Sequence, residues 1–404
     1  KIEKEQKGQV IVEVGEKERI TVETESESVI NWKSKDESIA KVNIENVKNV
    51  KEADVLGIKN GETTVTATLK NGEKVQYDIV VQTSPKSISL NENNITLDLS
   101  IDTQKQLVVS YDPVTTNANK KITWTSSDTK VATVDSNGIV KGVKNGKDVI
   151  ITATTQNGKS ATCKVTVQTT PTSVTLNQTN VTLDLSTNKI VQLTATVNPS
   201  TANVKNGVTW NSEDESIATV DKSSGLVTAI KNGSTKITVT TENGKTATCA
   251  ITVQTTPTSI TLSQTSATLD LSGTKTVQLT ATVNPNTANV KTGVTWKSND
   301  TSIATVSQSG LVTGVKNGKT TITATTENGK TATCTITVQT TPTSVTLNQT
   351  SATLDLSGTK TVQLKATVNP NTANVQNGTT WSSSNDKIVK VNNSGLVTGV
   401  ETGT

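Results

Sequence analysis

The chain has 404 residues, of which 31% are hydrophobic, and its formal net charge is +4. Its basic side chains are lysines apart from Arg19 and do not cluster, whereas nucleic-acid readout relies on Arg forks, aromatic stacking or a dense basic face. It has no apolar run long enough to span a bilayer, and it lacks His, a glycine-rich phosphate loop and a distinct acid pair. The composition therefore predicts no nucleic-acid partner, no membrane insertion in this segment, no cofactor and no catalytic activity.

Five tryptophans mark five copies of one sequence pattern, of which Val208–Val220 is a representative stretch. The tryptophans are Trp32, Trp124, Trp210, Trp296 and Trp381, with separations of 92, 86, 86 and 85 residues. Such a period indicates a tandem array of small domains rather than one large core. We predict domains at residues 1–83, 84–169, 170–255, 256–340 and 341–404.

Residues 1–83 are the most divergent copy. They hold 13 basic and 16 acidic side chains, a net charge of −3, whereas the rest of the chain holds 26 and 19, a net charge of +7. Terminal repeats meet different neighbours from internal ones. The first domain is therefore predicted to be a cap, with a docking surface as the alternative.

Residues 84–340 have the pattern of short alternating strands. In the middle copy, Val191, Leu193, Ala195 and Val197 share one strand face while Gln and Thr residues share the other. The abundant β-branched residues suit a pleated surface, and no helical periodicity is present. Asn-Gly pairs predict two-residue hairpins with positive φ at both positions. The pairs to which this prediction applies are 145/146, 157/158, 232/233, 243/244, 317/318 and 328/329.

Short linkers join the copies, each with one proline: Pro85, Pro171, Pro257 and Pro342. Proline fixes φ and biases its predecessor toward extended geometry, so the last strand of one domain is expected to run almost directly into the next. With strands of about 10 residues at ~3.3 Å each, one domain is about 35 to 40 Å long and four give very roughly 150 Å. We predict an all-β tandem array that forms an elongated rod.

The ordered motifs resemble the bacterial immunoglobulin-like group 2 (Big_2) domain. In the third copy they are Val174–Leu176, Leu193–Pro199, Val208–Trp210, Ile217–Asp221, Gly225–Ala229 and Ala247–Cys249. The resemblance covers essentially the whole chain and is weakest in residues 1–83, where Tyr77 replaces the later Cys. It implies immunoglobulin-like β-sandwiches, used as extracellular building blocks in adhesins, stalks, surface enzymes and phage virions. It implies no catalysis.

The cysteines and tryptophans are predicted to be structural core residues. Cys163, Cys249 and Cys334 occur once per domain, and equivalent positions a whole domain apart cannot meet the Cα distance of about 7 Å that a disulfide requires. They are interpreted as buried free thiols, with intermolecular cross-linking or reactivity as alternatives. The tryptophans are expected to pack in the core as in other immunoglobulin-like sandwiches, with a sugar-binding platform as the alternative.

Two sets of recurring aspartates are candidate metal ligands. One set is Asp98, Asp184, Asp270 and Asp355, within Leu-Asp-Leu-Ser, and the other is Asp36, Asp128, Asp214 and Asp300, four residues after a Trp. Isolated carboxylates at turns usually accept hydrogen bonds from local amides, whereas calcium needs six to eight converging oxygens. We therefore predict local turn roles and no metal site.

The last domain is expected to be incomplete. Thr404 aligns with Lys319 of the preceding copy, so the counterpart of residues 320–340, the final hairpin, does not follow. Its absence would leave a sheet edge unpaired and uncover the face of Val362, Leu364, Ala366 and Val368. We expect residues 341–404 not to be independently stable and the natural polypeptide to continue, with strand donation by another chain as the alternative.

The architecture predicts mechanical work outside the cell. The first hypothesis is a stalk or adhesin segment on a bacterial surface, with surface-associated protein partners and possible self-association through terminal domains. The second is a phage or phage-like virion component that decorates a capsid or tail. The third is a spacer attached to a surface enzyme.

Overall fold

The computed structural model describes residues 8–24, 28–44 and 51–404, so residues 1–7, 25–27 and 45–50 of the first predicted domain lie outside the description. All regular secondary structure in the described ranges is β-strand, which confirms the all-β prediction. By contacts between residues, the chain divides into two units. One comprises Lys1–Thr175, Ala195–Thr209 and Thr240–Ala247, and the other Leu176–Thr194, Trp210–Val239 and Thr248–Thr404.

The first unit contains the first two predicted domains. The strands of the first are β1 (Gln9–Glu13), β2 (Lys17–Thr21), β3 (Val29–Ser34), β4 (Ala40–Asn43), β5 (Glu52–Gly57), β6 (Gly61–Leu69) and β7 (Lys74–Gln82). Those of the second are β8 (Ser87–Leu90), β9 (Asn94–Asp98), β10 (Gln104–Gln106), β11 (Val109–Asp112), β12 (Ile122–Ser126), β13 (Ala132–Val134), β14 (Ile139–Gly142), β15 (Gly146–Thr155) and β16 (Ser160–Gln168).

Each of these two domains is a sandwich. The first has sheets ordered β1-β7-β6-β3 and β2-β5-β4, and the second has β9-β16-β15-β12, β10-β14-β13 and the pair β8-β11. The core of the second domain takes Leu97 and Val165 from one sheet and Val140 from the other, all essentially unexposed. Alternation puts these side chains inside, because successive residues of a strand point to opposite faces.

The third predicted domain, residues 170–255, contributes to both units. Its strands are β17 (Ser173–Leu176), β18 (Asn180–Asp184), β19 (Ile190–Gln192), β20 (Ala195–Asn198), β21 (Val208–Ser212), β22 (Ala218–Val220), β23 (Leu226–Ala229), β24 (Gly233–Thr241) and β25 (Thr246–Gln254). Within the second unit, β18 pairs in parallel with β25, and β23 pairs with β19 and β22.

The second unit also contains the last two predicted domains. The strands of the fourth are β26 (Ser259–Leu262), β27 (Ser266–Asp270), β28 (Thr276–Gln278), β29 (Ala281–Asn284), β30 (Val294–Ser298), β31 (Ala304–Val306), β32 (Leu311–Gly314), β33 (Gly318–Thr326) and β34 (Thr331–Gln339). Those of the fifth are β35 (Ser344–Leu347), β36 (Thr361–Gln363), β37 (Ala366–Asn369), β38 (Val389–Val391) and β39 (Leu396–Gly399). The fourth domain repeats the sheet orders of the second, with β27-β34-β33-β30, β28-β32-β31 and β26-β29.

The fifth domain has an uncovered apolar face. Val345 and Leu347 are 53% and 44% exposed, whereas Ile260, the counterpart of Val345, is 5% exposed. An open groove of about 920 Å³ is lined by Leu354 and Leu364, among others. In the fourth domain β33 and β34 pack against the corresponding side chains, so this groove lies where those two strands would lie.

The Asn-Gly pairs fall into two structural classes. Those at 157/158, 243/244 and 328/329 lie in the turns that join β15 to β16, β24 to β25 and β33 to β34. The prediction of hairpins at 145/146, 232/233 and 317/318 is wrong, because the strands on either side of each pair belong to different sheets. Positive φ at both turn positions is also wrong, since it occurs at Gly158, Gly244 and Gly329 but not at the Asn before each.

Candidate functional site: the interdomain junctions

The linker between the second and third domains is buried rather than loose. β16 ends at Gln168 and β17 begins at Ser173, so only four residues separate the two strands. Of these, Thr169 is 1% exposed, Thr170 is 6% exposed, and Pro171 is buried as well. A linker of this length has its backbone polar groups within reach of both neighbouring domains, and buried polar groups require hydrogen-bond partners.

Two asparagines supply those partners to Thr169. Its backbone N–H donates to Asn203 Oδ1 at 2.8 Å, and the backbone N–H of Asn203 donates back to the Thr169 carbonyl at 3.0 Å. The Thr169 hydroxyl donates to Asn145 Oδ1 at 2.6 Å, and Asn145 Nδ2 donates to the Thr201 carbonyl at 2.6 Å. We call these four hydrogen bonds the junction clasp. Asn145 lies before the linker and Asn203 after it, so the clasp joins two domains.

The junction clasp occurs at all four junctions with nearly the same geometry. The corresponding residues are Thr83, Asn117, Asn60 and Thr115 at the first junction, Thr255, Asn289, Asn232 and Thr287 at the third, and Thr340, Asn374, Asn317 and Thr372 at the fourth. The N–H to Oδ1 distance from linker Thr to Asn is 2.8 Å each time. The first two clasps lie in the first unit and the last two in the second.

A carboxylate holds the next linker residue. Asp98 Oδ1 accepts the backbone N–H of Thr170 at 3.2 Å and that of Ser100 at 2.9 Å, while the Ser100 hydroxyl donates to the Thr170 carbonyl at 2.7 Å. Asp184 accepts from Thr256 in the same way, and Asp270 from Thr341. At the first junction, Glu13 replaces the aspartate and accepts the N–H of Ser84 at 2.8 Å.

These hydrogen bonds lower the pKa of two of the junction carboxylates, Asp184 and Asp270. Burial tends to raise the pKa of Asp184, but hydrogen bonds from Ser186, Thr256 and Gln254 outweigh it and leave the pKa below its ordinary value. The pKa of Asp270 is lowered mainly by the hydrogen bond from the Thr341 hydroxyl, together with the Ser272 N–H. Both carboxylates are therefore anionic acceptors at neutral pH, and charged acceptors make stronger hydrogen bonds than neutral ones.

A third asparagine, which belongs to the following domain, holds the linker proline. Asn157, at the tip of the β15–β16 hairpin, donates through Nδ2 to the Pro85 carbonyl at 2.8 Å. Asn243 and Asn328 make the same contact with Pro171 and Pro257, each at 2.7 Å. Each of these three linkers is thus hydrogen-bonded from both sides.

The second aspartate set has local roles. Asp214 Oδ1 accepts from the backbone N–H of Ser216 at 2.9 Å and from its hydroxyl at 2.6 Å, and these bonds lower the pKa of Asp214. Asp36 and Asp300 have the same arrangement with Ser38 and Ser302, and Asp128 accepts the N–H of Lys130. Among residues 8–24, 28–44 and 51–404, no three acidic, Cys or His side chains come together as a metal site would require.

The cysteines and tryptophans line the domain interiors to different extents. Cys163, Cys249 and Cys334 are free thiols with no exposed surface, and burial raises the pKa of each. Trp210 is 4% exposed, whereas the other four tryptophans are partly buried. Each of the last four tryptophans packs on a glycine: a Cβ on Gly225, where φ is +76°, would lie 2.7 Å from the Trp210 ring. The core role of these residues stays a prediction.

Comparison with known proteins identifies the domains. The family profile of the bacterial Ig-like domain (group 2) matches residues 4–80, 86–165, 170–251, 257–336 and 341–404. The chain belongs to this family. The group 2 assignment confirms the resemblance found in the sequence, while the boundaries at 83/84, 169/170, 255/256 and 340/341 remain our proposal.

The relatives of this group 2 array carry diverse names. Ice-binding protein 1 of Shewanella frigidimarina is 30% identical over 387 residues, which is 92% of this chain and 42% of that protein. An Ig-like virion protein of Serratia phage KSP90 is 30% identical over 203 residues, 48% of this chain and 76% of that protein. An alpha-L-arabinofuranosidase of Bifidobacterium longum is 60% identical over 52 residues, 13% of this chain and 5% of that enzyme. The chain thus spans less than half of the Shewanella protein.

Among solved structures, the protocadherin GammaB4 extracellular domain is similar at a TM-score of 0.35 and 12% identity, over 98% of this chain and 78% of that one. Domains 1–6 of surface layer protein SbsC match at a TM-score of 0.23 and 20% identity, over 97% and 62%. Within the described residues, no helix has the length and apolar character needed to cross a membrane.

Sequence reasoning missed the functional use of asparagine in these group 2 domains. The separation between linker Thr and clasp Asn is 34 residues at every junction, a regularity that the printed sequence contains. Asn145, Asn232 and Asn317 were interpreted only as turn formers. Asp98, Asp184 and Asp270 were expected to bond nearby amides, and they do so, but they also hold the following linker.

Proposed function

We propose that this chain is a non-catalytic, extracellular stalk segment of a bacterial surface, whose work is to hold another part of its protein at a distance. Its domains are spacers and its junctions set the angle from one spacer to the next. The observation that carries this proposal is the fourfold occurrence of the junction clasp. A flexible array would need no such repeated contacts, because an unstructured linker supplies tethering alone.

The energetics of one junction support stiffness. Each junction combines the four bonds of the clasp with a carboxylate-to-amide bond. At about 0.5 to 1.5 kcal/mol net for each bond, a junction gains roughly 3 to 7 kcal/mol relative to an open linker before the ordering entropy is subtracted. Because the linkers are already short and contain proline, the entropy lost on closure is small.

The named relatives support a spacer role rather than one shared activity. Their names include an ice-binding protein, glycosidases and a virion protein, and in the Shewanella protein and the arabinofuranosidase the shared region is less than half of the relative. A module found in proteins of such different kinds is best explained by architecture. We therefore place the specific activity of the whole protein outside the group 2 domains.

Two further functions remain candidates. A virion component is favoured by the Serratia phage protein, because the match extends over 76% of its length. A spacer within a surface enzyme is favoured by the short bifidobacterial glycosidase matches. In each case the partners are proteins of the surface or particle, with self-association through terminal domains as an additional possibility.

Small-angle scattering of the purified chain tests the stalk proposal. An extended array of about 150 Å has a radius of gyration of about 40 Å, whereas a compact globule of this length has about 22 Å. We expect the larger value. A radius near the smaller value would overturn the proposal.

A matched pair of double variants tests the contribution of the junction clasp. Asn289→Ala with Asn374→Ala removes the acceptor of the linker N–H at two junctions. Asn286→Ala with Asn371→Ala changes exposed residues three positions earlier in the same loops. The first pair is expected to broaden the distribution of end-to-end distances and the second to leave it unchanged. Equal distributions would show that the clasp does not set stiffness.

A further inference from the structure

In each junction clasp, the asparagine that lies before the linker is followed by a glycine, and the fold requires both residues. Gly233 has φ of +153°, and an added Cβ would lie 2.9 Å from Ile217 Cδ1. Gly318 is placed in the same way against Ile303, while a Cβ on Gly146 would lie 2.6 Å from Val131 Cγ1. A side chain at these positions would therefore collide with the apolar residue beneath or strain the backbone.

The preceding residue must be asparagine for a different reason. Asn145 accepts from the Thr169 hydroxyl through Oδ1 and donates to the Thr201 carbonyl through Nδ2. Aspartate has no donor for the second bond, and the longer side chain of glutamine would displace one of the two partners. Packing and hydrogen bonding together force an Asn-Gly dipeptide into the junction.

An Asn-Gly dipeptide is chemically labile, because glycine has no side chain to shield its backbone nitrogen. The Gly146 nitrogen can attack Cγ of Asn145, losing its proton as the new N–Cγ bond forms. The Cγ–Nδ2 bond then breaks, and Nδ2 leaves as ammonia. Water opens the resulting succinimide at either carbonyl and yields aspartate or isoaspartate. The reaction needs no oxidant, reductant or enzyme.

We propose that Asn60, Asn145, Asn232 and Asn317 are deamidation sites whose rate is set by the opening of the junction and whose product loosens that junction. This inference concerns the chemistry of the clasp and does not rest on what the array carries.

The closed clasp protects its own asparagine. Ring closure requires the Asn145 side chain to turn toward the Gly146 nitrogen, which means releasing both Thr169 and Thr201. Gly146 also lies opposite Val167 in the β15–β16 ladder, so its backbone is held. Reaction from the open junction is therefore the productive route, in proportion to the open fraction.

The product opposes closure. An aspartate at position 145 retains an acceptor for the Thr169 hydroxyl but loses the donor to Thr201. Its second carboxylate oxygen then faces the Thr201 carbonyl oxygen, which is repulsive. Isoaspartate adds a methylene to the backbone and shifts the strand start as well. One conversion thus makes one junction permanently looser, while its neighbours remain intact.

The Asn203→Ala variant tests whether opening of the junction sets the rate of deamidation at Asn145. It removes the acceptor of the Thr169 N–H, and the loss of one ordinary hydrogen bond raises the open fraction about fivefold. After incubation at mildly alkaline pH, peptide mass spectrometry should show conversion at Asn145 about five times faster than in the parent chain. Asn232 and Asn317, at unaltered junctions of the same molecules, should keep their parent rates. Asn203→Asp, which retains an acceptor oxygen, should restore slow conversion.

Three results would overturn the proposal. One is an Asn145 rate that Asn203→Ala does not change. Another is equal acceleration at all three sites, which would indicate global unfolding. The third is conversion in the parent chain as fast as in a free peptide of residues 141–150. The loosening of the junction by the product is tested with Asn145→Asp. In this variant the Thr169 amide should exchange about fivefold faster than the Thr255 and Thr340 amides of the same chain. Unchanged Thr169 exchange would refute the loosening.

Discussion

Replacing Trp210 by alanine should unfold one domain of the array and leave the others folded. Trp210 is 4% exposed, and its ring packs against the backbone of Gly225. A buried Trp removes about 200 Å² from water, which at ~25 cal/mol per Å² is worth about 5 kcal/mol. Measured Trp-to-Ala changes in cores are about 3 to 5 kcal/mol, because neighbouring atoms relax partly into the cavity.

That loss is large beside the stability of a domain of this size. A domain of 86 residues, the period of the array, has a total stability of about 4 to 13 kcal/mol. The substitution therefore removes about a quarter or more of it, and at the lower end of the range all of it. Repeat domains contact only their neighbours, so the effect should be confined to residues 170–255.

Amide exchange read by mass spectrometry provides the assay, because it reports each domain separately. Residues 170–255 should exchange fast in Trp210→Ala, with residues 84–150 and 270–340 still protected. Thr209→Ala is the matched control, since Thr209 is the exposed neighbour on the same strand and should change stability by less than about 0.5 kcal/mol. Unaltered protection in Trp210→Ala would refute the core assignment. Loss of glycan binding without loss of stability would instead support a sugar platform.

Two other predictions concern the junction carboxylates and the last domain. Asp184 and Asp270 have folded pKa values below the ordinary 3.8, so their contribution to the junctions is complete above that value and is lost as the pH falls through the folded values. Hydrogen exchange of the Thr256 and Thr341 amides, corrected for intrinsic rates, should therefore accelerate below pH 3.8. Asp270→Asn should remove this pH dependence at Thr341 only. Exchange rates that do not change with pH in the parent chain would contradict the role given to the two carboxylates. Residues 341–404 should exchange faster than residues 84–340, because Val345 is 53% exposed where Ile260 is 5% exposed, and equal protection of the two regions in a monomer would contradict that reading.

The sequence by itself determined the repeat, the strand content and the family. These features are local or periodic: alternation of Val191, Leu193 and Ala195 with polar residues defines strand faces, and a Trp every 85 to 92 residues defines the copies. Proline in each linker also indicated short connections. Such signals depend on nearest neighbours along the chain, so they can be read without knowing what lies close in space.

Only the tertiary structure decided which asparagines form turns and which join domains. Asn145 and Asn157 both precede glycine and have the same local signal, yet one lies between two sheets beside a linker and the other at a hairpin tip. The residues that bond to Asn145, Thr169 and Thr201, are 24 and 56 residues away along the chain and lie in two different domains. The local sequence does not indicate which carbonyl will accept a hydrogen bond from an asparagine side chain. That carbonyl is brought into place by the packing of both sandwiches and by the direction of the linker between them.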